Sequence, residues 1–301
     1  MQNPLLAKLG VSPESRLVLF HADDVGMCHG SNQAFLELAE FGIVKCGSVM
    51  VPCPWSPEIL SEAQRNPTLD LGVHLTLTSE WSNYRWGAIS TRQGQSGLLD
   101  PQGYFYHRTH QARAAMNVEA AIAELQTQAA RAKEAGLDIS HFDTHMGVAF
   151  VPELLHAYLQ LGRDYAAPAL MMRDSTLYTT VLGISAHELG DWAALLATIE
   201  ATAHPIFDHF LITPEHHPNG RDADRGELYE TMLRSLPAGS LTFFSLHPNA
   251  PGDIDVIIPD RAYWRTFEYT YFRSNRLTDF LAQEKIVPIG FRELREVMRG
   301  A

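Results

Sequence analysis

The sequence predicts an α/β protein, an irregular (β/α) barrel that is TIM-like and has seven or eight parallel strands. Short apolar runs, typical of buried parallel strands, alternate with helical patterns along the chain. This alternation implies a parallel sheet with right-handed crossovers. Seven or eight such units in 301 residues match the size of one barrel. We therefore expect a single domain over residues 1–301.

The predicted elements follow in order along the chain. The expected strands are Leu17–Phe20, Gly47–Val51, Leu71–Thr76, Ile139–Asp143, Ala169–Met172, Phe210–Ile212, Leu241–Leu246 and Ile286–Ile289. The expected helices are Ser31–Phe41, Ser56–Arg65, Val118–Ala135, Glu153–Leu161, Asp191–Ile199, Arg225–Leu236, Arg261–Gln283 and Arg292–Arg299. Asn117 is placed to cap the third helix and Gly136 to end it, and Asp260 lies where the long helix needs a cap.

One segment, residues 79–115, interrupts the alternation with neither a good helix nor a clean parallel strand. Its aromatic residues are Trp81, Tyr84, Trp86, Tyr104, Phe105 and Tyr106. A loop of this length in a compact domain is usually functional or mobile. Two interpretations stay open: the aromatic rings stack on a sugar, or they form a small satellite core with a hairpin that turns at residues 100–103.

The composition excludes some partners. The net charge of −12 would repel nucleic acid and an anionic membrane, so a sugar or another neutral small molecule fits better. Three clustered cysteines, Cys28, Cys46 and Cys53, fit a reducing compartment rather than a disulfide framework. The N-terminus lacks the apolar core of a signal peptide, and no apolar run reaches membrane-spanning length. We expect a cytoplasmic protein.

The first predicted strand ends in two adjacent acids, Asp23 and Asp24, followed by Gly26. Neighbouring side chains on an extended chain point in opposite directions. One carboxylate can therefore hold a metal while the other faces a substrate. The alternative for an isolated pair of this kind is that one Asp caps the following helix.

Three other strand ends carry histidine. His74 lies in one strand, His141, Asp143 and His145 alternate along another, and His247 ends a third. A lone histidine in a strand is more often a satisfied core residue, but the carboxyl ends of parallel strands meet at one face of a barrel. One carboxylate and two imidazoles form a ligand set for a catalytic divalent metal. Asp143 could then accept an imidazole N–H and fix the tautomer of that ring.

Four motifs occur in an order and at separations that resemble those of the YdjC-type carbohydrate deacetylases, which include the chitooligosaccharide deacetylases. The resemblance extends from about residue 16 to about residue 294. The first motif is His21–Gly26 with Gly30–Phe35, the second is Gly72–Thr78, the third is His141–His145 and the fourth is Leu246–Pro248. The segment Gly97–Phe105 is also similar to a family segment.

This resemblance implies an irregular (β/α) barrel that hydrolyses the N-acetyl group of an amino sugar or a chitooligosaccharide-like substrate. It also implies one divalent metal ion held by Asp24, His74 and His145. Magnesium or zinc is favoured, and manganese, cobalt or nickel would suit the same ligands. A homodimer is a further expectation from the family.

The resemblance also assigns catalytic roles. Asp23 matches the general base, and His247 matches a candidate general acid. Arg173 matches a family arginine that could pair with Asp23 and keep it ionised. The alternative for Arg173 is a structural ion pair.

The third motif departs from the family pattern. Family members usually continue it with more histidines, whereas this chain reads His145-Met146-Gly147-Val148. The ligand position is kept, so a metal site is still expected. A chitobiose-like substrate is not implied, and a different N-acylated small molecule is a reasonable expectation.

Two other function classes compete with the deacetylase. Another metal hydrolase on the same barrel, an amidohydrolase or a phosphoesterase, would need cationic groups for phosphate, and the sequence offers Arg173 and Arg221. The His-rich run at 215–222 suggests a second metal, although a solvated loop explains it as well. A non-catalytic carbohydrate-binding protein is disfavoured because every motif residue is present.

Overall fold

A computed structural model describes residues 2–220 and 223–300. Within these residues, seven parallel strands form one curled sheet in the order β4-β3-β2-β1-β6-β5, and β7 also pairs with β1. The strands are β1 Arg16–Val25, β2 Cys46–Val49, β3 Asp70–Leu75, β4 Phe142–Thr144, β5 His209–Ile212, β6 Leu241–Leu246 and β7 Ile286–Pro288. The predicted α/β class with a parallel sheet is confirmed.

The sheet is only weakly closed between β4 and β5. The run 169–172, predicted as a strand, spans this gap with isolated bridges, from Phe142 to Ala169 and from Met172 to Phe207. Because single bridges replace a ladder there, the architecture is a partial, TIM-like barrel. The arc between β4 and β5 is consequently the most open part of the sheet.

Helices surround the sheet, and most of the predicted helices are present with shifted ends. The helices are α1 Leu5–Lys8, α2 His29–Phe41, α3 Ser56–Arg65, α4 Thr109–Ala115, α5 Val118–Glu134, α6 Pro152–Asp164, α7 Ala186–Leu189, α8 Trp192–Glu200, α9 Arg225–Arg234, α10 Asp253–Ile257, α11 Ala262–Tyr271, α12 Asn275–Glu284 and α13 Phe291–Arg299. Short 3₁₀ turns lie at Gly94–Ser96 and His145–Phe150, and a π-helical turn at Leu177–Val181. No helix of the described residues is both long and apolar enough to cross a membrane.

The helix caps confirm two predictions and correct one. The Asn117 side chain accepts the N–H of Ala120, and Gly136 ends α5 with a φ of +90°. The long helix predicted near the C-terminus is wrong: it is two helices, because the Ser274 side chain caps α12 by accepting the N–H of Leu277. Asp260 caps neither of them, since α11 begins after Arg261 without a side-chain cap.

Residues 79–115 form a satellite core with a hairpin. The turn at 100–103 is confirmed by the bond from the Asp100 N–H to the Tyr104 carbonyl, 2.7 Å. Trp81 and Trp86 pack edge to face, and both are buried. The expectation that this segment contains no helix is wrong at its end, where α4 forms. Trp81 also lines the main cavity, so stacking on a sugar stays a prediction.

Candidate active site

Three predicted ligands converge at the carboxyl ends of the strands. One donor atom from each of Asp24, His74 and His145 lies within 4.8 Å of the others. Oδ1 of Asp24 is 3.5 Å from Nε2 of His74 and 3.2 Å from Nδ1 of His145. All three side chains are buried. The structure thus brings together the residues that the sequence predicted as metal ligands.

The backbone at the acidic pair is irregular. The register between β1 and β2 shifts between Ala22 and Val25, and Asp24 has a φ of +60°. Asp is one of the few non-glycine residues that tolerate this left-handed conformation. A bulge of this kind re-aims a side chain next to a site. Asp24 is thereby turned toward the two histidines, away from the direction that a regular strand would give it.

The remaining ring nitrogens of both histidines are held by carboxylates. Nδ1 of His74 lies 2.9 Å from Oδ2 of Asp143, and Nε2 of His145 lies 3.0 Å from Oε2 of Glu80. Because each carboxylate accepts a ring N–H, the opposite nitrogen of each ring is left to face Asp24. The proposed role of Asp143 agrees with this contact. Glu80 was missed by sequence reasoning.

The electrostatics of the cluster suit a cation. Burial acts to lower the pKa of His145, but the carboxylates of Glu80 and Asp24 raise that pKa to about 9. Burial also opposes charge on His74, yet Asp143 and Asp24 raise its pKa well above the usual range. Oδ1 of Asp24 is buried without a hydrogen-bond partner. A divalent ion fits a site that has an unsatisfied carboxylate oxygen and two inward-facing imidazole nitrogens.

Arg265 of α11 pairs with the other oxygen of the same carboxylate. Nη1 of Arg265 lies 2.7 Å from Oδ2 of Asp24. Burial raises the pKa of Asp24, but Arg265 and the histidines outweigh it and hold this pKa well below the ordinary value. The Arg265 guanidinium also lies over the rings of Trp81 and Trp264, 5.4 and 5.2 Å from their centroids. Asp24 is therefore held ionised and fixed in orientation.

Asp23 is held by a separate buried chain of hydrogen bonds. Its Oδ1 lies 2.6 Å from Nδ1 of His21, and its Oδ2 accepts the Ser245 hydroxyl at 2.8 Å. Nε2 of His21 lies 2.8 Å from Nε2 of His141, whose Nδ1 lies 2.9 Å from the Ser140 hydroxyl. Because a carboxylate only accepts, His21 donates from Nδ1. The chain fixes the direction in which Asp23 presents its oxygens.

His141 is buried between an aromatic ring and a glycine. Its ring stacks on Phe291 with centroids 3.8 Å apart. Burial, followed by the neighbouring His21, lowers the pKa of His141 well below its ordinary value. On its other side the ring fills the space above Gly72, where a Cβ would lie 2.5 Å from the imidazole. His141 thus supports His21 and does not face the cavity.

The prediction that Arg173 pairs with Asp23 is wrong. Arg173 contacts Asp208 at 3.0 Å and Glu200 at 2.6 Å, so it forms the structural ion pairs that were its alternative interpretation. Its side chain leaves the sheet just after the run 169–172, on the open arc, and the two acids of that arc hold it there. Of the described arginines, Arg265 is the one that pairs with the acidic motif.

His247 lies beside Asp23 with Nε2 3.8 Å from Oδ2 of that residue. Its backbone N–H donates to Oε2 of Glu268 at 2.6 Å, and its ring packs edge to face on Trp264. Burial lowers the pKa of His247, against the opposing effect of Asp24 and Asp23. The Nδ1 atom is buried without a partner. His247 therefore faces the acidic pair as a polar group with unused hydrogen-bonding capacity.

Glu268 makes the stability of the fold depend on pH. Burial raises its pKa to about 7, although Tyr229 donates to it at 2.7 Å. A carboxyl with a raised pKa stabilises the fold below its unfolded pKa of about 4.3, and this contribution is lost as the pH rises through 7. We expect the free energy of unfolding of the wild type to fall by on the order of 3 kcal/mol between pH 4.5 and pH 7.5 from this group.

Urea unfolding across that pH range measures this effect. Glu268→Gln should flatten the decline, while the exposed Glu227→Gln on α9 should keep the wild-type profile. An unchanged profile in Glu268→Gln would contradict the assignment.

The residues of the cluster open onto one cavity of about 870 Å³. Asp23, Asp24, His74, His145 and His247 all line it. A site of this size accommodates a small-molecule substrate.

The His-rich run does not join the cluster. His216 lies 3.5 Å from the Tyr263 hydroxyl, and Glu215 pairs with Arg261 at 2.6 Å. Within residues 2–220 and 223–300, the groupings that could hold a metal do not include His216 or His217. Arg221, considered as a phosphate ligand, lies outside the described residues.

The fold and this cluster define an α/β protein with a curled parallel sheet, a partial barrel, and a carboxylate–imidazole centre at the carboxyl ends of its strands. The sequence profile of the family described as YdjC-like protein matches residues 17–283. The chain belongs to this family.

Several named proteins are similar to this chain in sequence or in fold. A carbohydrate deacetylase from Thermus thermophilus is 28% identical over 294 residues, covering 98% of this chain and 99% of the relative. One from Listeria monocytogenes is 33% identical over 134 residues, covering 44% of this chain and 51% of the relative. The crystal structure of a proposed cellobiose-phosphate cleavage protein from Enterococcus faecalis V583 has a TM-score of 0.71 at 21% identity, covering 93% of this chain and 99% of that one. At that identity the likeness shows the fold.

Proposed function

We propose that the protein is a metal-dependent hydrolase that removes an N-acyl group, most simply N-acetyl, from an amino sugar. The observation that carries the proposal is the convergence of Asp24, His74 and His145 beside Asp23 in one cavity. The names of the relatives support the reaction class. No observation favours a phosphoesterase, because the buried guanidinium at the cluster is paired with Asp24.

Asp24 Oδ1, His74 Nε2 and His145 Nδ1 are the atoms that would hold the ion. When bound, a divalent metal supplies a Lewis acid for the acyl carbonyl and lowers the pKa of water. Two imidazoles and one carboxylate suit zinc best, and manganese, cobalt, nickel or magnesium are the alternatives to test. Arg265 keeps Asp24 ionised, and Asp143 and Glu80 keep the two ring nitrogens directed inward.

Asp23 is the proposed general base and accepts a proton from the attacking water. His21 and Ser245 hold its two oxygens, so the carboxylate meets the water in one orientation. His247 is the proposed general acid and gives a proton to the departing amine, which is otherwise a very poor leaving group. Its position next to Asp23 allows the proton taken by the base to be returned across a short distance.

The direct experiment measures acetate released from N-acetylglucosamine, diacetylchitobiose and a panel of N-acetylated small molecules, with and without chelator. We expect chelator-sensitive release from at least one amino sugar. A purified protein that binds about one metal ion per chain and releases acetate from none of them would contradict the deacetylase. A single domain, a homodimer and a cytoplasmic location stay predictions.

Glu80 should tune metal affinity through His145. In Glu80→Gln the amide oxygen can still accept the Nε2–H of His145, but the acceptor has lost its negative charge, so the ring is held less firmly and loses part of its basicity. We expect metal affinity to fall about 10–100-fold. Calorimetric titration of the metal into chelated protein measures this. The exposed Glu119→Gln on α5 is the matched control, and an equal affinity in both variants would contradict the role of Glu80.

A further inference from the structure

The cavity has two chemically different sides. The ends of β1 and β3 and residue His145 contribute the charged groups described above. The open arc between β4 and β5 contributes Asp174, Thr176 and Asp208 and a larger number of apolar side chains. Those nearest to the third motif in sequence or contact are Met146, Phe150, Met172, Leu177, Val181 and Leu182.

The π-helical turn at Leu177–Val181 and the following Leu182 pack on the third motif. Gly147 has a φ of +69°, and a Cβ at this position would lie 2.5 Å from Cδ2 of Leu182. A histidine at position 147, as in the continuation usual for the family, would collide with this leucine. Position 147 therefore has no room for a side chain while Leu182 occupies this place, and an apolar side chain packs against the residue two positions after His145.

The buried side chain of Tyr178 anchors the π-helical turn. Tyr178 is buried; its hydroxyl accepts the N–H of Met172 at 3.2 Å, and its ring packs on Trp192 and Phe150 with centroids 4.5 and 5.2 Å away. Val181, by contrast, is 70% exposed at the edge of the cavity. A single exposed apolar residue is ordinary, but Val181 adjoins Leu177 and Leu182 in the lining of the cavity and so extends an apolar part of a pocket of ligand size.

We infer that this arc is an apolar subsite that binds an alkyl or aryl group attached to the N-acylated amino sugar. The inference rests on the proposed function and extends it to the class of substrate. The cavity volume of about 870 Å³ leaves room for such a group beside a sugar at the charged side. The apolar group could be carried on the glycosidic oxygen or as a longer N-acyl chain, and the same surface would bind either one.

Binding calorimetry with the Asp23→Asn variant tests the subsite without turnover. The probes are the methyl and octyl β-glycosides of N-acetylglucosamine, compared with each other, and N-octanoylglucosamine, compared with N-acetylglucosamine, all below their aggregation concentrations. We expect the octyl glycoside or the N-octanoyl sugar to bind at least about tenfold more tightly than its short partner. The pair that shows the gain identifies which position carries the group.

A second substitution distinguishes binding at the subsite from non-specific hydrophobic binding elsewhere on the protein. Val181→Asp in the same background should remove most of the gain. Val256→Asp on α10 should keep it, because Val256 is 80% exposed and is not among the described residues that line the cavity. No gain for either long probe, or an equal loss in both variants, would overturn the inference. Tight octyl binding without acetate release by the wild type would instead contradict the proposed function and leave the subsite intact.

Discussion

Asp23→Asn should lower kcat by on the order of 10²–10⁴ while the protein keeps its fold and its metal. The amide has the shape of the carboxylate: its oxygen can still accept from His21, and the Ser245 hydroxyl can rotate to accept from its NH₂ group. It cannot take a proton from water at neutral pH. The loss should appear in kcat more than in KM, since Asp23 acts on the water and not on the resting substrate.

Metal content and steady-state kinetics on the same preparations check this expectation. Asp208→Asn is a useful comparison, because Asp208 also lines the cavity but is paired with Arg173 and has no proposed part in proton transfer. Near-normal turnover in Asp23→Asn would show that another group is the base. Loss of metal in that variant would show instead that Asp23 is a ligand.

Asp24→Ala should have the second large effect, on both metal and stability. The change removes the carboxylate ligand and leaves the buried guanidinium of Arg265 without its counter-charge. Removing one partner of a buried ion pair costs about 3–5 kcal/mol of folding free energy. We therefore expect a protein that binds no metal, releases no acetate and unfolds at a lower urea concentration.

A double variant distinguishes the two consequences. In Asp24→Ala/Arg265→Met the uncompensated charge is gone, so most of the lost stability should return, whereas metal binding and activity should not. Urea unfolding of the chelated proteins measures the first effect, and metal content measures the second. If the double variant were as unstable as Asp24→Ala, the ion pair would not be the cause of the loss.

Much of the site was predictable because it depends on local sequence and on one topological rule. Asp24 and His74 lie near the carboxyl ends of β1 and β3, His145 directly follows β4, and parallel strands bring those ends together. Elements with clear start and stop signals in the sequence were equally predictable: α3 and β6 have the predicted bounds, and Asn117 caps α5 as expected.

The residues that pair with Asp24, His74 and His145 were harder to predict, since they come from distant parts of the chain. Arg265 is 241 residues from Asp24, and nothing in the acidic motif indicates which arginine will reach it. One signal was available: Arg265 and Glu268 are charged residues three apart on a face of α11 that also carries buried aromatic rings. A buried charge on such a face needs a partner, and an acidic strand end is a natural one.

Arg173 and Asp24 show two further reasons why parts of the site could not be predicted from the sequence. The position of Arg173 after a strand suggested a place in the site. The side chain instead forms ion pairs with two neighbouring acids on the open arc, Glu200 and Asp208. The bulge that re-aims Asp24 depends on the register of β1 against β2, which no local pattern reveals. The incomplete closure of the sheet at residues 169–172 likewise depends on pairing and not on apolar character.

The central claim is that acetate release depends on an ion held by Asp24, His74 and His145. Its most direct test is to strip the protein with chelator, add zinc, manganese, cobalt, nickel or magnesium back in steps, and follow bound metal and acetate release together. The account predicts that activity returns in proportion to bound ion and saturates near about one ion per chain. Acetate release that persists in the stripped protein, or that tracks metal equally well in Asp24→Ala, would contradict it.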